Sequence, residues 1–80
     1  MKKKLKVGII GCGAIGTSLA RIIEGQLSEK FSVVAVCDVF PKKAEALLNI
    51  CRRAKVLADV RRLIDVSDFV IEASSASVSY

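Results

Sequence analysis

Three glycines, Gly11, Gly13 and Gly16, interrupt the segment LKVGIIGCGAIGTSLARIIEG at G-x-G-x-x-G spacing. Before them, Leu5 to Ile10 is a short, branched and mostly apolar run, the pattern of a buried strand. After them, Ala14 to about Gly25 places apolar residues at Ile15, Leu19, Ile22 and Ile23. That is the i, i+4, i+7, i+8 face of an amphipathic helix, and Gly25 supplies a stop. The chain therefore turns from strand to helix through residues without side-chain bulk. This junction limits the fold more than any other feature of the sequence.

The same alternation continues along the chain. Phe31 to Val39 (FSVVAVCDV) reads as a second strand buried on both faces, as in a parallel sheet covered by helices. Pro41 opens a second helix, since proline suits the first helical position. Its apolar stripe is Ala44, Leu47, Leu48 and Cys51. Lys55 to Leu57 is a brief third strand. Asp59 can cap a short helix carrying Val60, Leu63 and Ile64. Phe69 to Ala73 is a fourth strand, and SSASVSY reads as a loop leading toward a helix. The order β-α-β-α-β-α-β predicts a parallel sheet with right-handed crossovers. The expected class is α/β, a partial Rossmann-like doubly wound sheet with strand order 3-2-1-4.

In that arrangement the glycine turn sits at the topological switch point, and each glycine has a physical task. Gly11 permits the tight turn, Gly13 leaves room for a pyrophosphate, and Gly16 lets the helix pack closely on the strand. The first helical amides, near Ala14 and Ile15, point at the phosphates, and the helix dipole favours an anion there. The second strand ends in Asp38, 22 residues past Gly16. A carboxylate there accepts hydrogen bonds from an adenosine ribose and repels a 2′-phosphate, which favours NAD over NADP. Lys42 and Lys43 follow within a turn and could instead reach a 2′-phosphate, so NADP stays open. The alternative reading takes these lysines as a solvated helix start, Asp38 as a strand-end cap and the glycines as a plain turn.

Composition removes other classes. The 80 residues are 52% apolar and 26% charged, too apolar for a disordered chain and enough for one domain or part of one. The net charge is +5, but four of the lysines crowd the first six residues and most of the other basic residues lie in short pairs without interleaved aromatics. Nucleic acid is therefore not expected as a main partner. The apolar stretch before Cys12 is too short for a signal peptide, and no run is long enough to span a membrane. A soluble, cytoplasmic protein is expected. Cys12, Cys37 and Cys51 have no metal-like spacing, and the chain contains no His; they read as reduced, apolar filler.

GIIGCGAIG and VVAVCDVFPKKAEAL resemble several NAD(P)-dependent families, including homoserine dehydrogenases and the glucose–fructose oxidoreductase group. The fourth strand, FVIEASS, resembles the V-I-E-A-A-S segment of L-aspartate dehydrogenases, with Ser74 where that family commonly has a second Ala. GCGAIGTSLA is similar to the same family's helix entry. By this resemblance Gly11, Gly13, Ala14, Ile15, Gly16 and Asp38 would hold the adenosine and pyrophosphate. Ala73, Ser74 and Ser75 would line the path to the nicotinamide. Glu72 would have a structural rather than a catalytic role.

The resemblance further implies oxidative deamination of L-aspartate in the intact enzyme. Hydride passes from the α-carbon to NAD(P)⁺, and water releases ammonia from iminoaspartate to give oxaloacetate; iminoaspartate can also feed NAD biosynthesis. Members of that family carry a second domain that binds the small amino-acid substrate and supplies a catalytic His. Residues 1–80 are therefore expected to be the amino-terminal part of a dinucleotide-binding domain, without a substrate domain and inactive alone. An open fourth-strand edge would invite homo-oligomers. A homoserine or sugar dehydrogenase fragment and a non-catalytic dinucleotide sensor are the other readings.

Overall fold

Apolar runs at Leu5–Ile10 (β1) and Phe31–Cys37 (β2) form the centre of a parallel sheet in the computed structural model, which describes residues 3–73. Lys55–Val56 (β3) joins β2, and Phe69–Glu72 (β4) joins β1 on its other side. The order is β3-β2-β1-β4, as the sequence predicts for this Rossmann-like class. The crossovers contain helices Ala14–Gly25 (α1), Pro41–Leu47 (α2) and Val60–Val66 (α3). Three strands are shorter than the apolar pattern suggests: β2 stops at Cys37 rather than Val39, β3 at Val56 rather than Leu57, and β4 at Glu72 rather than Ala73.

Two apolar layers hold the sheet. One joins Val7, Ile9, Val33 and Val36 to Ala20 and Ile23 of α1, Ala44 and Leu47 of α2, and Cys51. The other joins Ala35 and Cys37 to Leu63 of α3. Full burial of a side chain such as Ile9, Leu47 or Leu63 stabilises the fold by about 1.5–3 kcal/mol. A register shift separates the pairs Val7–Val33 and Gly8–Ala35, so Val34 is the extra residue. Strict alternation therefore breaks in the middle of β2: Val33 and Val36 share one layer, while Val34 and Ala35 share the other. Beside the irregularity, the Val33 amide donates to Glu24 Oε2 of α1 at 3.1 Å.

The buried face of α1 differs from the expected stripe. Gly16, Ala20 and Ile23 are buried, whereas Ile15 and Ile22 are 50% and 43% exposed. Small residues at 16 and 20 bring the helix axis close to the sheet, and that contact sets the rotation of the helix. Likewise, of the three apolar residues expected to anchor α3, only Leu63 is buried; Val60 and Ile64 face outward. The expected cap holds: Asp59 Oδ1 accepts from the Arg61 amide at 2.9 Å.

Gly8 explains how α3 seats. A Cβ built there would strike Ser67 Oγ and lie 2.6 Å from Leu63 Cδ2. The bare backbone lets α3 lie directly on β1. Asp68 then fixes the entry to β4, its amide donating to the Lys6 carbonyl and its Oδ2 accepting from the Lys6 amide, both at 2.8 Å. Phe31 and Phe69 meet edge to face across β1, with ring centroids 6.0 Å apart.

Candidate functional site

The carboxyl ends of β1, β2 and β4 converge on the glycine turn. The Gly11 amide donates to the Cys37 carbonyl, and the Ala73 amide donates to the Ile10 carbonyl, each at 2.8 Å. Gly11 has φ 92°, a left-handed conformation that a side chain would strain. A Cβ on Gly16 would collide with the Gly11 carbonyl oxygen. The two glycines are thus fitted to each other: one makes the turn, and the other lets the helix begin directly against it.

Gly13 is different. It caps α1 with an ordinary extended backbone (φ −81°) and makes no side-chain cap bond. A Cβ built there meets nothing within 4 Å. The space in front of the helix start is open, and Ala14 and Ile15 are exposed beside it. The first bond of the helix is Thr17 N–H to the Gly13 carbonyl at 2.9 Å. The amides before Thr17 therefore precede the helix ladder, and the first turn contains no acidic residue. Such a helix start attracts anions.

Asp38 lies at the same place and has an added role. Its Oδ2 accepts from the Cys12 amide at 2.6 Å, inside the glycine turn, and its Oδ1 accepts from the Phe40 amide at 2.8 Å. A carboxylate has about four acceptor sites, so two remain for a ligand hydroxyl. Thr17 Oγ1 also donates to the Cys12 carbonyl, at 3.4 Å. Neither bond to Cys12 was expected from the sequence. The hydroxyl residue four positions after Gly13 is the available signal for the second. Lys43 holds its ammonium 5.0 Å from the Phe40 ring centre. Of the residues assigned to the nicotinamide path, Ala73 lies beside the end of β1, whereas Ser74 and Ser75 fall outside the described residues.

The three cysteines are buried free thiols. Burial, with the nearby Asp38 carboxylate, pushes the Cys12 thiol from 9.0 up to about 11. Burial and Glu24 do the same to Cys51, also to about 11. The Cys37 thiol is raised chiefly by burial, then by Asp38 and Asp59. These thiols stay neutral near pH 7 and do not serve as nucleophiles there. In the unfolded chain they ionise nearer pH 9, so the folded state loses relative stability as pH rises from about 9 to 11. Urea titrations across that window should show a falling midpoint; a flat profile would refute the assignment.

A family model described as the NAD-binding domain of homoserine dehydrogenase matches residues 11–80. The chain belongs to this family of NAD-binding domains. An L-aspartate dehydrogenase of Methanosarcina mazei is 39% identical over 75 residues, which cover 89% of this chain and 26% of that protein. An inositol 2-dehydrogenase of Cereibacter sphaeroides is 42% identical over 71 residues, which cover 88% of this chain and 21% of that protein. Among solved structures, the myo-inositol dehydrogenase of Lactobacillus casei, in complex with NAD(H) and myo-inositol, superposes with a TM-score of 0.79 at 33% identity. That match covers 90% of this chain and 22% of the other. The NAD-binding domain described here thus spans about a quarter of the length of these relatives or less. No helix among its described residues is long and apolar enough to cross a membrane.

Proposed function

We propose that this NAD-binding domain serves an L-aspartate dehydrogenase-type enzyme, as its amino-terminal cofactor part. The observation that carries the reading is the open helix start at Gly13, held in shape by Gly11, Gly16 and Asp38. The amides of residues 13–16 would take the pyrophosphate, and the spare acceptor sites of Asp38 would take the adenosine ribose. Ala73, with Ser74 and Ser75, would continue toward the nicotinamide. The bound nucleotide supplies a hydride acceptor; this chain's contribution is to bind and orient it. The VIEAS segment and the aspartate dehydrogenase relative support L-aspartate as the substrate of the whole protein.

A second reading, a polyol or sugar dehydrogenase, is favoured by the inositol dehydrogenase relatives and the superposed structure. Oxidation assays of the full-length protein with L-aspartate and with myo-inositol separate the two. Turnover of myo-inositol alone would replace the first reading with the second.

Asp38 should set the cofactor preference. Replacing it with Ser removes the repulsion toward a 2′-phosphate, and NADPH affinity should rise relative to NADH by about tenfold, equivalent to ~1.4 kcal/mol. Because the Cys12 amide loses its carboxylate partner, some stability should be lost as well, about 1–3 kcal/mol if that amide stays unsatisfied. Fluorescence titrations with both reduced cofactors measure the ratio. An unchanged ratio would place the ribose elsewhere.

A further inference from the structure

The face of the sheet that carries α3 holds a second feature, a groove running from Lys6 of β1 toward Leu57 after β3. Lys55 and Leu57 lie two residues apart in extended chain, so their side chains leave the same face. Arg62 and Val66 lie four apart on α3 and share one side of that helix. Between them runs a groove of about 320 Å³. Val34, Leu57 and Val66 give it an aliphatic floor, and Lys6, Arg53, Lys55 and Arg62 surround it with positive charge. Among the described residues, no carboxylate lines it. Asp68 lies beside the Lys6 end, where its Oδ2 is held by the Lys6 amide.

Local structure explains why the groove exists. The register shift at Val34 turns that side chain onto the α3 face of β2. Leu63 seats α3 over both β1 and β2, against Gly8, Ala35 and Cys37, and the groove lies beside that contact, toward β3. Four cations gathered around one depression repel each other. Among the described residues, Arg53, Lys55 and Arg62 form no ion pair that would offset this repulsion. The groove is at the small end of ligand-pocket sizes. Its apolar floor strengthens any charge pairing made above it. Two guanidinium groups add planar forks suited to oxyanions.

We propose that this groove is a second ligand site, for a compact polyanion bearing phosphate or carboxylate groups. It is separate from the dinucleotide site. At its Lys6 end, Gly11 follows five residues later, roughly 15 Å along the strand, while its Leu57 end, where the Leu57 amide donates to the Val36 carbonyl, lies nearer the turn on the α3 face. The ligand sits on the sheet face, with its charges toward the four cations and its body on Val34, Leu57 and Val66.

Calorimetric titration of the 80-residue chain with inorganic pyrophosphate and with citrate tests this, since the first probe is a phosphate and the second a carboxylate. Pyrophosphate could also enter the glycine turn, so the titrations are run with the chain saturated in NADH and repeated on Gly13→Val. One equivalent of at least one probe should bind in both settings. The double substitution Lys55→Ala/Arg62→Ala should weaken that binding at least tenfold, with NADH affinity unchanged and a melting temperature no lower than the parent's, since two mutually repelling charges are removed. Both residues are exposed, so the fold does not depend on them. Binding of pyrophosphate alone makes the site a phosphate site, and binding of citrate makes it a general polyanion site. The proposal fails if NADH displaces all of the bound probe and Gly13→Val binds none. It fails equally if the double variant binds as tightly as the parent, or if only long polyanions such as heparin bind.

Discussion

Gly16→Val is expected to cost more stability than any other single substitution in the glycine turn. The new Cβ would enter the space of the Gly11 carbonyl oxygen, a backbone atom that cannot rotate away. Relief requires α1 to lift from β1, which opens the layer formed by Ile9, Ala20 and Ile23. Overpacking of a core contact costs about 1–3 kcal/mol, and a clash with backbone belongs at or above the upper end. For a domain of this size, about 3 kcal/mol corresponds to a fall of roughly 12–24 °C in melting temperature. Calorimetry or circular dichroism measures it directly. A variant that melts within two or three degrees of the parent would show that the helix does not rest on the turn. NADH binding should be lost with the fold, so binding alone cannot report on this position.

Gly13→Val should show the opposite pattern. The site of the added side chain is open, and φ −81° suits any residue. The cost to the fold is that of a poorer cap, about 1 kcal/mol. The cost to binding is far larger, because the valine side chain fills the approach to the amides of α1. A loss of about 3 kcal/mol of cofactor binding, or more than ~100-fold in affinity, is expected. The pair of variants separates two functions of one motif: Gly16 holds the turn, and Gly13 leaves it accessible. If Gly13→Val folds and retains NADH affinity, the phosphates bind elsewhere and the proposed function loses its main support.

Much of this was legible in the residues. Alternating apolar runs gave the seven elements in order, because a strand buried on both faces and a one-sided helix leave different periodicities. The glycine spacing located the turn, since only bare backbone satisfies a left-handed bend and a close helix crossing together. Asp38 was visible from its distance along the chain. Other features left no local trace. The rotation of α1 was misread: Ile15 and Ile22 are as apolar as Ile23, yet only Ile23 is buried. Hydrophobicity ranks residues by what they gain on burial, and it does not register which side of a helix the close Gly16 contact turns inward.

The sequence by itself determined a parallel α/β chain with an anion-attracting turn after its first strand, because those properties depend on near neighbours. Tertiary structure alone decided that the Asp38 carboxylate braces the Cys12 amide, that Gly8 seats α3, and that Lys6 shares one groove with Arg53, Lys55 and Arg62. These depend on contacts between residues 26 to 59 positions apart along the chain. Only the order and register of the strands bring such residues together.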